Sequence, residues 1–590
     1  YLLLDFARLE ERTGNLNAAR EYGENAINII ESQRESFSND ELRASFAAGS
    51  RGFYDFQIGL LMKLHALDRT KGNDAIAFQL SERSRARGLL NVLNEARAEV
   101  MQGGDRTLLE REKRLRVQIN DKARRLTQAL SSKASEKRGE AIEKELNTLL
   151  ADLQTVRAQI RISSPRYAAL TQPQPLAVKE LQAKLDDNTV LLEYALMPER
   201  SFLWAVSRNA FKSYEVPKHS EIETLSRRAY ELFTRSHERA IRGQAQLAAA
   251  ELSQKILGPV AAELKGKRLI IVGDGALQYV PFAALPEPAN IEKGAVDEKT
   301  ILHPLTSNPQ PLIINHDLVY LPSASLLSLL GQERGSVKQA EKTIAVLADP
   351  VFQLNDQRVT KSLVARNSPQ VNTATLMAQT RGGFDQLTRS ASETGTAGFA
   401  RLPYTRQEAE AIFSLTSTRD GLKALDFKAN RESATSKELS QYRILHFATH
   451  GLINSQHPEL SGLVLSLVDE KGEPQDGFLR LHDIYNLNLN ADLVVLSACR
   501  TALGKEVNGE GLIGLTRGFM YAGAKSVIAS LWDVRDEATA ELMKRFYHNM
   551  LKQGQLPSAA LRAAQISVLQ EPRWSAPYFW AGFTMQGAWK

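Results

Sequence analysis

A change of grammar at residues 163–175 constrains this chain more than any other feature. Ser163 to Pro175 carries prolines at 165, 173 and 175, and proline neither continues a helix nor lets the residue before it stay helical. Upstream, apolar residues recur at helical spacing. Downstream, short apolar runs alternate with helical stretches and turn residues. The chain therefore reads as an all-helical region followed by an α/β region. Its 590 residues, 43% of them hydrophobic, suffice for several cores, about four domains by length.

Residues 1–100 read as paired helices. Leu2 to Arg12 is followed by a turn at Thr13-Gly14-Asn15, then by Ala18, Ala19, Tyr22, Ala26 and Ile29 on one face. Lys71-Gly72-Asn73 followed by Ala75, Ala77 and Ala86 repeats the layout. A Gly-Asn turn before an alanine-rich helix resembles tetratricopeptide repeats, which stack helical hairpins into a peptide-binding surface. An ordinary helical bundle is the alternative, since no period of about 34 residues is clean. Tyr1 falls inside a helical pattern, so a further N-terminal portion is expected.

Residues 101–165 are read as a charged spacer. Ile142, Leu146, Leu149, Leu153, Val156 and Ile160 form a heptad seam, and Leu108, Leu115, Ile119, Leu126 and Leu130 offer a second. The polar stretch Ser131 to Gly139 between them favours a helical hairpin over one rod or a dimerisation coiled coil.

The formal net charge of +6 is mild for this length, so charge gives no reason to expect nucleic-acid binding. No stretch approaches the roughly 18 apolar residues of a membrane span, and residues 1–30 lack signal-peptide order. The chain holds one cysteine, which excludes an internal disulfide and any multi-cysteine metal site and suits a reducing compartment. A cytoplasmic protein without membrane contact is the expectation.

Past residue 175, apolar runs at Val190–Ala195, Phe202–Val206, Leu269–Val272, Leu318–Leu321 and Ile344–Leu347 read as strands, with helical sequence at Glu221–Ala250. Gly273-Asp274-Gly275 lacks the third glycine of a dinucleotide site and reads as a strand-to-turn joint. Residues 351–400, rich in Ser, Thr, Gln, Asn and Gly, read as a long mobile surface loop. Beyond them Ile444–Phe447, Leu463–Leu467, Leu493–Leu496 and Ser526–Leu531 read as buried parallel strands of a three-layer α/β/α domain.

Two of these strands lead into reactive side chains, His450 in His446-Phe447-Ala448-Thr449-His450-Gly451 and Cys499 in Leu496-Ser497-Ala498-Cys499-Arg500-Thr501. Function in open parallel sheets gathers beyond the carboxyl ends of the strands. A thiol needs a nearby imidazole to take its proton and return it to a leaving amine. Cys499 and His450 supply that pair if their strands are neighbours, and the backbone amides of Gly451 and Cys499 are candidates for an oxyanion hole. A lone cysteine at a strand end also reads as a small buried apolar residue. Arg500 beside the thiol favours the thiolate or is a plain exposed arginine.

These motifs, with Gly509-Glu510-Gly511-Leu512 and Leu515-Thr516-Arg517-Gly518-Phe519 through Ala522-Gly523-Ala524, resemble those of CHAT domains, caspase-like and separase-like cysteine peptidase domains often found behind tetratricopeptide repeats. The resemblance implies Cys499 as nucleophile and His450 as base, with His446 a packed core histidine and Glu510 and Arg517 shaping a loop. It implies a pseudo-caspase half at 176–350 and an active half at 401–590. Ser530-Leu531-Trp532-Asp533-Val534-Arg535-Asp536 looks like the separase segment carrying the acidic floor of a pocket for Arg or Lys, which points to Asp533 first and Asp536 second; the alternative for either is a cap on the helix from Ala538. The expectation is an endopeptidase acting on selected proteins, controlled by a protein partner on the helical repeats and needing no cofactor or metal. By family analogy it serves bacterial signalling, differentiation or conflict-triggered cell death. A catalytically silent scaffold and a thiol-dependent hydrolase or acyltransferase for small molecules are the rival readings.

Overall fold

The computed structural model describes residues 2–36, 40–85, 176–288, 310–330, 340–359, 399–417, 419–452, 461–498, 504–507 and 511–589, with scattered helical positions between 107 and 159. The expected loop at 351–400 lies mostly outside these residues. Of its described part, Val351 and Phe352 are buried.

The N-terminal region is helical: α1 (Leu2–Arg12), α2 (Leu16–Ser36), α3 (Asp40–Leu67) and α4 (Asn73–Ser84). The turns stand where the sequence puts them, with Gly14 at φ +88° and Gly72 at φ +63°, a conformation glycine adopts without steric cost. The buried stripe of α2 differs from the expected face. Ala19, Gly23, Ala26, Ile27 and Ile30 are buried, whereas Tyr22 and Ile29 are exposed. The cause is a close crossing at Gly23, where any Cβ would collide with the Gln57 side chain, and Gln57 donates its amide to the Arg20 carbonyl at 3.0 Å. In the spacer, Lys122 pairs with Glu145 across the two seams and Leu115 and Val156 are buried.

The rest is built on an eleven-stranded sheet. Its strands are β1 (Thr189–Ala195), β2 (Ser201–Ser207), β3 (Ala210–Val216), β4 (Arg268–Val272), β5 (Leu318–Tyr320), β6 (Lys342–Ala348), β7 (Gly421–Leu425), β8 (Tyr442–Ala448), β12 (Leu493–Ser497), β15 (Ser526–Ser530) and β16 (Phe583–Gly587). The smaller sheets hold β9 (His450–Leu452), β10 (Gly462–Val464) and β11 (Phe478–Arg480), and β13 (Gly504–Val507) with β14 (Gly511–Gly514). The order of the large sheet is β3-β2-β1-β4-β5-β16-β15-β12-β8-β6-β7. Two blocks of strands are thus sewn into one sheet by the C-terminal strand β16, antiparallel to β15 and bridged to β5 through Gln586 and Tyr320. β6 lies before residue 350 in sequence yet sits between β8 and β7.

The runs of Val, Leu, Ile and Ala in β4, β8, β12 and β15 are buried along almost their whole length, as sheets covered on both faces require. Two adjacent residues of β8 show the layers. His446 meets Tyr547 of the helix Asp536–Leu551, while Phe447 packs on Phe519 of the helix Leu515–Tyr521 with ring centroids 5.4 Å apart. Successive strand residues face opposite sides, so these helices cover opposite faces and the domain has three layers. One expected parallel strand is corrected: Leu463–Leu467 contributes only β10, antiparallel in the small sheet with β9 and β11. An unbroken apolar run signals burial on both faces but carries no sign of strand direction.

Candidate active site

β8 ends at Ala448 and the chain changes sheets within two residues. Thr449, fully buried, donates its hydroxyl to the Val464 carbonyl, and β9 then pairs with β10, His450 opposite Val464 and Gly451 opposite Leu463. The small sheet depends on Gly462, where a Cβ would lie 2.3 Å from the Leu479 carbonyl oxygen. His450 is therefore held by two sheets at the carboxyl edge of the large one, with Gly451 half-buried beside it.

The imidazole of His450 packs against the rings of Phe352 and Phe399, with centroids 5.1 and 5.4 Å away. Its Nε2 is 2.7 Å from the Ala400 carbonyl oxygen. A carbonyl only accepts, so Nε2 carries the proton and Nδ1 holds the lone pair. Desolvation by this surround pushes the imidazolium below its ordinary 6.5, although the Ala400 carbonyl and the charge of Asp533 pull the other way. The ring is thus a neutral base of defined tautomer at neutral pH. Nothing in the sequence signalled Ala400, because its contribution is a backbone oxygen; Phe352 and Phe399 flank a segment of low apolar periodicity and give no local pattern.

β12 is hydrogen-bonded to β8 in parallel, with Val495 opposite His446 and Ser497 opposite Ala448. The strands expected to carry the dyad are therefore neighbours, and in sequence His450 and Cys499 each follow the last registered pair by two residues. Cys499 itself, with Arg500 and Glu510, lies outside the described residues. The chain just before it is pinned, because the buried Ser530 hydroxyl donates to the Ala498 carbonyl at 2.5 Å.

β15 flanks β12 on the other side, Ala529 opposite Leu496. Beyond its end the Leu531 amide bonds the Gly582 carbonyl at 2.9 Å, and buried Trp532 donates its indole N–H to the Tyr578 carbonyl at 3.0 Å. These ties leave Asp533 exposed on the edge shared with His450. Asp536 is placed differently. It starts the helix Asp536–Leu551 and accepts the Tyr404 amide at 3.0 Å, which caps the helix Pro403–Phe413 from outside. Burial, with Glu408 and Asp349 nearby, pushes Asp536 up to about 6.

Beneath the strand ends runs a buried polar chain. His446 Nδ1 is 2.9 Å from the Tyr547 hydroxyl, its Nε2 faces Glu408, and Glu408 Oε2 accepts the Ser497 hydroxyl at 3.2 Å. His446 is thus a packed core histidine with a hydrogen-bonded ring. Burial pushes the Tyr547 phenol well above its ordinary range, so it stays protonated. Arg517 is buried on the helix Leu515–Tyr521.

The CHAT domain family model matches residues 246–588, more than half of the chain and all strands from β4 to β16. The chain belongs to the CHAT domain family. β1–β3 precede the matched stretch of the CHAT domain but complete its sheet. Tetratricopeptide repeat protein 28 of Mus musculus is 40% identical over 106 residues, 18% of this chain and 4% of that protein. Its Homo sapiens counterpart is 28% identical over 259 residues, 39% of this chain and 10% of that protein. The chain thus aligns with a tenth or less of these curated relatives' length. Among solved structures, the Saccharomyces cerevisiae separase–securin complex is similar with a TM-score of 0.37 at 10% identity, covering 99% of this chain and 49% of that one. The complex of Porphyromonas gingivalis RgpB pro- and mature domains gives a TM-score of 0.32 at 10% identity, covering 63% and 77%. Among the described residues, no helix is long and apolar enough to cross a membrane.

Proposed function

We propose that this CHAT protein is a cysteine endopeptidase cleaving selected protein substrates, with Cys499 as nucleophile and His450 as base. The observation that carries the reading is the β8–β12 register, Ser497 opposite Ala448, which brings the two chain segments off neighbouring strands at the same level. In this mechanism Nδ1 of His450, whose Nε2 proton is held by Ala400, takes the thiol proton as sulfur attacks the scissile carbonyl carbon. The carbonyl oxygen becomes an oxyanion, stabilised by the Gly451 and Cys499 amides. Collapse breaks the C–N bond while the imidazolium gives its proton to the leaving amine. Water, deprotonated by His450, then hydrolyses the thioester and restores the thiol.

Asp533, exposed on the same edge, would receive Arg or Lys at the residue before the cut; Asp536, committed to Tyr404, is the weaker candidate. The tetratricopeptide-like helices would bind a regulatory protein, in a cytoplasmic setting. Peptide acyloxymethyl ketones with Arg, Lys, Leu or Asp before the warhead test the reading on native protein and Cys499→Ala, with mass spectrometry to locate adducts and cell lysate to supply an activator. Labelling of Cys499 alone, strongest with Arg or Lys and lost in Asp533→Ala, supports peptidase and pocket. No labelling by any probe favours the silent scaffold.

A further inference from the structure

The three residues that cover His450 form a strap whose anchor lies outside the dyad. Phe399 packs on the imidazole and accepts from the Gln353 amide at 3.0 Å, Ala400 accepts Nε2–H, and Arg401 reaches away to Asp349. Arg401 binds both Asp349 oxygens, Nε at 2.9 Å and the terminal nitrogen at 2.8 Å, the two-pronged geometry that fixes orientation as well as distance.

Asp349 is a hub. It follows β6 directly, adopts φ +47°, is fully buried, and donates its amide to Thr405 Oγ1 at 3.1 Å. Its carboxylate also takes Arg406 Nε at 2.7 Å and lies 3.1 Å from Arg358, which reaches Asp426 and Asp356. Arg406 and Arg358 already compensate the buried carboxylate. Arg401, with 41% of its side chain exposed, adds little to stability as a rim charge. Its backbone carries the strap, so what the third arginine adds is position.

We propose that Asp349 and Arg401 are positioning residues for His450: their pair fixes the Phe399–Arg401 strap, and the strap fixes the ring in its Nε2-protonated form. The catalytic consequence rests on the peptidase reading above, while the tautomer does not. Among the described residues, the groups facing the ring are the Phe352 and Phe399 rings, the Ala400 carbonyl and, through space, the Asp533 carboxylate.

The test uses the full chain labelled with nitrogen-15 histidine, with the His450 ring signals assigned by His450→Gln and the titration followed by NMR in native protein, Arg401→Met and Arg401→Lys. Native protein should show one neutral tautomer, protonated at Nε2, titrating below the ordinary range. Arg401→Met should mix the tautomers and move the midpoint up as the apolar cover loosens; Arg401→Lys, a charge without a fork, should fall between. Where the ketone probes label Cys499, Arg401→Met should slow labelling roughly ten- to a hundredfold, with an unchanged urea midpoint. An unchanged tautomer and titration in Arg401→Met overturns the proposal. Altered ring signals in a protein that no probe labels would uphold the strap and count against the peptidase reading alone.

Discussion

His446 Nε2 and Glu408 Oε1 stand 2.9 Å apart with both side chains fully shielded from solvent. The two atoms are close but out of line for a hydrogen bond. Glu408 also holds Ser497, two residues before Cys499, and His446 holds Tyr547. One buried pair therefore joins β8, β12 and the helices Pro403–Phe413 and Asp536–Leu551. Removing His446 leaves the buried Tyr547 hydroxyl without this partner and opens a cavity beside Glu408, which costs about 2–4 kcal/mol. His446→Ala should lower the urea midpoint of the CHAT domain accordingly, followed through buried Trp532 and Trp580. An unchanged midpoint would show that the pair adds nothing to stability.

Asp536 gives the structure a pH dependence of opposite sign to the usual paired carboxylate. Its carboxyl is raised from the ordinary 3.8 to about 6, chiefly by burial. Between those values the unfolded chain has released the proton and the folded protein still holds it, so this group's contribution falls as pH rises through the window. Asp536→Asn keeps an acceptor for the Tyr404 amide and removes the titration. Its stability relative to the unmutated protein should rise by roughly 1–2 kcal/mol from pH 4 to 6.5, after allowance for solvent screening, then level. Urea midpoints across that range measure it, and a flat difference would refute it.

The sequence carried much of this site and little of its support. Strand ends at Ala448 and Ser497 follow from runs of Ile, Leu and Val that stop at small or polar residues, and the parallel pairing of the two strands is as expected. The strap was invisible because Ala400 acts through its main chain and Arg401 through a partner 52 positions away. Asp536 was legible as a helix starter, but its bond to Tyr404 required knowing that the two helices meet. The stripe on α2 shifted because a glycine crossing, rather than the largest apolar side chains, set the packed face.

The helical region is locked to the sheet through Glu82 of α4. Its buried carboxylate accepts the Ser323 hydroxyl at 2.7 Å, the Ala324 amide at 3.1 Å, and the Ser325 amide and hydroxyl each at 2.6 Å. Nearby, Arg85 bonds the Gly273 carbonyl at 3.0 Å and Arg51 reaches Asp274 at 2.6 Å. Glu82→Ala takes this acceptor from the Ser323 hydroxyl, the Ala324 amide and the Ser325 hydroxyl, at about 1–3 kcal/mol for each group left unmet, while the Ser325 amide keeps the Ser323 Oγ at 3.1 Å. Hydrogen exchange at residues 323–327 should accelerate by at least tenfold, and proteolysis near 85 should quicken. Native-like protection would mean the helices dock without this contact.

Gly462 tests whether the small sheet holds His450. It pairs with Leu452 on β9 and Arg480 on β11, so it is the middle rung between His450's strand and the body of the domain. An added methyl would meet the Leu479 carbonyl oxygen at 2.3 Å and the Arg480 Cα at 2.9 Å, all backbone, which no side-chain rotation relieves. Gly462→Ala must therefore push β10 off β11 or β9. The large sheet, which does not include these strands, should keep its stability, so the urea midpoint should move by less than about 2 kcal/mol. The ring of His450 should move, shifting its nitrogen-15 signals and slowing any Cys499 labelling roughly a hundredfold. A variant that labels at the native rate with native His450 signals would show that β9 is held by Thr449 and the strap without its partner strands.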